Sequence, residues 1–134
     1  MNNDIRWKQR FQNFERAFLL LDELVDRDIA SFSQLEKEGI VQRFEMLIEL
    51  SWKVLKDYLE NEGYDDVRNG KHAIRTAFQD ELITDAEAWM DALKRRNLTS
   101  HTYDNLILNE TVTYTLSEFY PIVRDLYQKL KAEL

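Results

Sequence analysis

"VQRFEMLIELSWKVLKDYL", residues 41–59, places large apolar side chains at Val41, Phe44, Ile48, Trp52, Leu55 and Leu59. Steps of three and four residues lay them along one side of an α-helix, with charged residues between. Upstream, Trp7, Phe11, Phe14, Phe18, Leu21 and Val25 step by 4, 3, 4, 3 and 4, and "RDIASFS" interrupts that stripe. Downstream, Val112, Leu116, Phe119, Val123, Leu126 and Leu130 repeat the same rhythm. Three long heptad-like stripes favour packing along nearly common axes.

The punctuation fits helices. Ser33 and Glu36 form a capping box, although Gly39 offers a later start. Gly63 in "NEGYDD" is placed as a helix stop. A shorter helix carries Ile74, Ala77, Phe78 and Leu82. Thr84 and Glu87 form a second box, opening a helix with Ala86, Trp89, Met90 and Leu93 on one side. Pro121 falls inside the last helix, where it removes a hydrogen bond to Ser117 and is expected to bend it. No stretch alternates with the period of a strand, and no repeat is present. The expected fold is all-α, an antiparallel bundle of four or five helices with residues 1–134 as one domain.

Composition narrows the function. The chain has 134 residues, 44% of them hydrophobic and 32% charged, as in a soluble globular domain. A net charge of −7 disfavours nonspecific nucleic-acid binding, so any RNA contact needs a local basic patch. The absence of cysteine excludes disulfides and thiolate chemistry. No secretory signal is visible, and "AFLLL" is far too short to span a membrane, so a cytoplasmic protein is expected. Three glycines leave no phosphate-binding loop, so the chain is not itself a nucleotidyltransferase or ATPase. His72 has no companion at zinc-ligand spacing. Glu45 and Glu49 lie one turn apart but lack the Glu-x-x-His partners of a two-metal bundle site. Neither a metal nor a cofactor is expected.

"RNLTSH", residues 96–101, brings an arginine close to one of only two histidines. On the helical wheel Arg96 flanks the apolar face and Asn97 continues it, whereas Arg95 points away as a solvated charge. One reading is an ordinary helix end, with Arg96 complementing the macrodipole. In the other, His101 moves protons between a ribose 2′-hydroxyl and the leaving oxygen while Arg96 neutralises the phosphorane-like transition state. Phe44, Ile48, Trp52 and Leu55 read as core or dimer interface. Arg43, Glu45 and Lys53 read as a solvated face, with Glu45 also within reach of Arg96 or His101.

"RNLTSHTY" (96–103) resembles the Arg-x4-His-x-Tyr motif of the HEPN superfamily. "IVQRFEMLIELSWKVLKDYLENEG" (40–63), "AIRTAFQDELI" (73–83) and "AWMDALKRRNLTSHTYD" (88–104) are similar to its nucleotidyltransferase substrate-binding branch, which is related to HepT-type toxins. The resemblance implies a homodimer whose Arg and His residues share a cleft, and a separately encoded minimal nucleotidyltransferase as partner in a two-gene toxin–antitoxin-like module. It implies a metal-independent ribonuclease with Arg96 and His101 as the catalytic pair, Asn97 and Glu45 in support, and Tyr103 as the residue silenced by AMP transfer. Lys94, Arg95 and Arg96 of two chains would then concentrate positive charge locally. Two alternatives remain: a noncatalytic subunit that binds a nucleotide or other substrate, and a purely structural dimerisation module.

Overall fold

The computed structural model describes residues 2–99 and 104–134, and every regular element among them is helical. Helix α1 runs Asn3–Asp22, α2 Gln34–Asn61, α3 Gly70–Gln79, α4 Ala86–Thr99, α5 Asn105–Tyr114 and α6 Tyr120–Ala132. A π-helical turn, Thr115–Phe119, joins α5 to α6, so five continuous helices pack together among the described residues. No described helix is long and apolar enough to cross a membrane.

Local signals set most boundaries. The Ser33 hydroxyl accepts from the Glu36 N–H at 3.1 Å, and the Glu36 carboxylate accepts from the Ser33 N–H at 2.9 Å. This reciprocal cap starts α2 well before Gly39 and satisfies two otherwise orphaned donors. Ser33→Ala is expected to cost about 1 kcal/mol and to lower Tm by about 4 °C, read by thermal denaturation. Gly63, with φ at +105°, ends the helix where a side chain would be strained. The second expected capping box does not form. Asp85, not Thr84, accepts from the Ala88 N–H at 3.0 Å, so the cap sits one residue later than the pattern places it.

Pro121 does not break the last helix. The Tyr120 N–H bonds the Thr115 carbonyl five residues back, so the ladder widens by one residue just before the proline. The extra residue absorbs the missing donor, and α5 passes into α6 without a gap in the helix.

Cross-helix contacts give the directions. Arg10 meets Asp57 at 2.9 Å and Arg43 meets the Leu20 carbonyl at 2.7 Å, so α1 and α2 are antiparallel. Tyr120 bonds Asp22, and Tyr127 bonds Glu15 at 2.7 Å, which sets α6 antiparallel to α1. The core between them holds Trp7, Phe11, Phe14, Phe18 and Leu21 of α1, all essentially buried as the stripe requires. Phe44, Ile48, Leu55 and Leu59 face them from α2, and Phe119, Val123, Leu126 and Leu130 from the last helix. The first stripe stops short of Val25, since α1 ends at Asp22, and Phe78 is exposed at the end of α3.

Candidate functional site

Helix α4 lies against α2 in the opposite direction. Its Trp89 and Ala92 are buried, and Trp89 meets Phe119 edge-on with ring centres 6.2 Å apart. Near its start, α3 approaches so closely that a side chain at Gly70 would come within 3.3 Å of both Trp52 and Leu93. A Cβ there would make these two side chains give by a few tenths of an ångström. The anchorage fixes the last turn of α4, which carries Arg96.

Arg96 sits between two carboxylates of α2. Its Nη1 is 3.6 Å from Glu45 Oε2 and its Nε is 3.4 Å from Glu49 Oε1. Glu49 is itself held, because Trp52 Nε1 donates to its other oxygen at 3.1 Å. Arg96 is 29% exposed and the two carboxylates 24% and 37%, so solvent screens both pairs and each contributes only about 0–1 kcal/mol. Their effect is chiefly orientation: a guanidinium fork held at two points keeps one plane.

The helical wheel placed Arg96 correctly and its neighbours less well. Asn97 is exposed rather than turned inward. Arg95 is not a solvated charge: its guanidinium lies 4.2 Å above the Tyr114 ring and bonds Asp91 at 2.8 Å. The wheel misplaced both because the buried centre of α4 runs through Trp89 and Ala92, about one residue away from the Ala86–Met90–Leu93 line. Burial pushes the Tyr114 phenol well above its usual range, so it stays neutral beneath the guanidinium. Arg95 and Arg96 thus face Asp91, Glu45 and Glu49. With the exposed Lys94 added, three cations stand beside three acids, and within one chain these charges cancel.

His101 and Tyr103 lie outside the described residues. His72 is a structural residue: its Nδ1 accepts the Arg68 N–H at 3.1 Å, and its own N–H is capped by Asn69 at 3.0 Å. Among the described residues no three His, Asp or Glu side chains gather as a metal site would require. Sequence spacing points to Glu49 only as a metal partner of Glu45. Its one-turn spacing from Glu45, on a face beside the apolar stripe, is the signal that could have linked both to a cation on a neighbouring helix.

Comparisons with known proteins agree with this fold. A crystal structure of a Thermus thermophilus protein superposes with a TM-score of 0.76 at 30% identity, covering 88% of this chain and 98% of that one. A curated relative, Probable ribonuclease HepT of Haemophilus influenzae, is 39% identical over 70 residues. That match covers 49% of this chain and 48% of the relative, so it spans about half of each. The family model described as "Nucleotidyltransferase substrate binding protein like" matches residues 9–132, nearly the whole helical bundle. The chain therefore belongs to the nucleotidyltransferase substrate binding protein-like family.

Proposed function

We propose that this protein is a toxin-like subunit of a separately encoded minimal nucleotidyltransferase and a metal-independent ribonuclease, with residues 1–134 acting as one HEPN-like domain. The observation that carries the reading is the two-point hold of Glu45 and Glu49 on Arg96, five residues before His101. The matches to the substrate-binding family and to a probable ribonuclease support it.

In this mechanism His101 accepts the proton of an RNA 2′-hydroxyl. The 2′-oxygen attacks the adjacent phosphorus, the bond to the 5′-oxygen breaks, and His101 returns the proton to that leaving oxygen. A cyclic 2′,3′-phosphate and a 5′-hydroxyl end result. Arg96 neutralises the charge that develops on the phosphoryl oxygens, and Glu45 and Glu49 keep its fork aimed. Asn97, exposed beside Arg96, supplies a further hydrogen-bonding group at the mouth. Two such chains form a homodimer, and their sites share one cleft. The tyrosine at 103 accepts AMP from ATP, with pyrophosphate leaving, and the added phosphodiester blocks the site by bulk and charge.

A noncatalytic role, presenting a nucleotide to the partner enzyme, is the second reading, and the family description favours it. One experiment separates the two. The protein is incubated with the partner nucleotidyltransferase and ATP, weighed intact, and assayed for RNA cleavage in EDTA. A gain of one adenylyl group, lost in Tyr103→Phe and accompanied by loss of cleavage, is the expected outcome. Saturable nucleotide binding by a protein that cleaves no RNA would establish the second reading instead.

A further inference from the structure

The charges around Arg96 cancel, so attraction for RNA has to come from elsewhere on the surface. One turn further along α2 the sign changes. An open groove of about 420 Å³ between α1 and α2 is lined by Arg6, Arg10, Trp52, Lys53, Lys56 and Asp57. Four of these six are cations, in a chain with 25 acidic and 18 basic residues. The single acid of the lining is buried and taken up by Arg10 at 2.9 Å. Glu60, outside the lining, draws Lys56 at 2.8 Å and Arg6 more loosely at 4.0 Å. Counting Glu60, the groove keeps an excess of two positive charges.

We infer that this groove, from Trp52 to Arg6, binds the single-stranded RNA that flanks the phosphate at Arg96. Three observations support that occupant. The groove adjoins the site, since Trp52 of its lining donates to the same Glu49 that pairs with Arg96. Its cations come in one-turn pairs, Arg6 with Arg10 and Lys53 with Lys56, so each pair shares one face of its helix. It also contains a half-exposed indole with Lys53 Nζ 5.8 Å from the ring centre, and a basic track with a stacking platform is the arrangement that holds single strands regardless of sequence. From Glu49 to Lys56 the helix rises about 10 Å.

This placement rests on the RNA-directed reading above, and the test is built to separate them. A fluorescein-labelled single-stranded RNA of about ten nucleotides is titrated by anisotropy at several salt concentrations, and its cleavage is timed in EDTA. Arg6→Glu/Lys53→Glu alters the groove without disturbing the Arg10–Asp57 pair. It should bind at least tenfold more weakly, with a salt slope smaller by about 1.4, or about 0.7 for each lost phosphate contact. Its KM should rise while kcat holds. Arg6→Gln/Lys53→Gln should show a lesser loss in the same direction, and Lys37→Glu/Arg124→Glu, on other faces, should stay within about twofold of wild type. Circular dichroism confirms that each variant is folded.

Unchanged binding by both groove variants, equal losses in the control, or no RNA binding by wild type overturns the inference. Groove variants that keep RNA affinity but lose the nucleotidyltransferase partner would give the groove to a protein instead, and overturn it as well. Groove-dependent RNA binding without any cleavage leaves the inference standing and removes the ribonuclease reading. Cleavage with an unaltered KM in the groove variants does the reverse.

Discussion

Replacing Arg96 with alanine is expected to lower the rate of RNA cleavage by about 10²–10³-fold while leaving the protein folded. The size follows from removing one preorganised charge at an oxygen that becomes more negative in the transition state, typically about 3–4 kcal/mol of barrier. The fold should tolerate the loss because the ion pairs of Arg96 with Glu45 and Glu49, at 3.6 and 3.4 Å, are screened by solvent. Arg96→Lys keeps the charge, but an ammonium is a point donor and cannot hold one plane between Glu45 and Glu49. It should recover no more than a small part of the rate. Single-turnover cleavage alongside a thermal melt checks both substitutions. Activity of Arg96→Ala within threefold of wild type would remove Arg96 from the chemistry.

The largest expected effect on stability belongs to Phe44→Ala, about 3–5 kcal/mol. Phe44 is fully buried and meets two rings edge-on, Tyr114 at 5.6 Å and Phe119 at 4.9 Å. Truncation removes the buried ring and leaves a space that three helices cannot close by small shifts. The damage also reaches the site, since Trp89 of α4 rests on Phe119. Urea denaturation should show the midpoint falling with little change in slope. A loss below 1 kcal/mol would mean that this end of the core is far looser than the ring geometry implies.

Much of the bundle was legible because its helices bury narrow stripes. Trp7 through Leu21 and Val123 through Leu130 are buried at the positions that their spacing marks. What pattern could not supply were choices settled by neighbours. Asp85 displaced Thr84 as a cap because both can accept and only the local backbone decides. A π-turn accommodated Pro121 because the ladder could widen at Tyr120. The candidate site was half legible. Arg96 was found from its flank position and motif, whereas its second partner, Glu49, depends on how α4 docks on α2. Arg95 escaped for the same reason, as no feature near residue 95 announces a tyrosine at 114 beneath it.

If Arg96 and His101 act together in metal-independent RNA cleavage, the activity depends on both side chains and on no cation. The most direct test is the fragmentation of cellular RNA in excess EDTA by equal amounts of wild type, Arg96→Ala and His101→Ala. Rapid cleavage by wild type, leaving cyclic 2′,3′-phosphate ends, and essentially none by either variant is the expected result. Equal activity in all three proteins, or intact RNA with wild type, would contradict it.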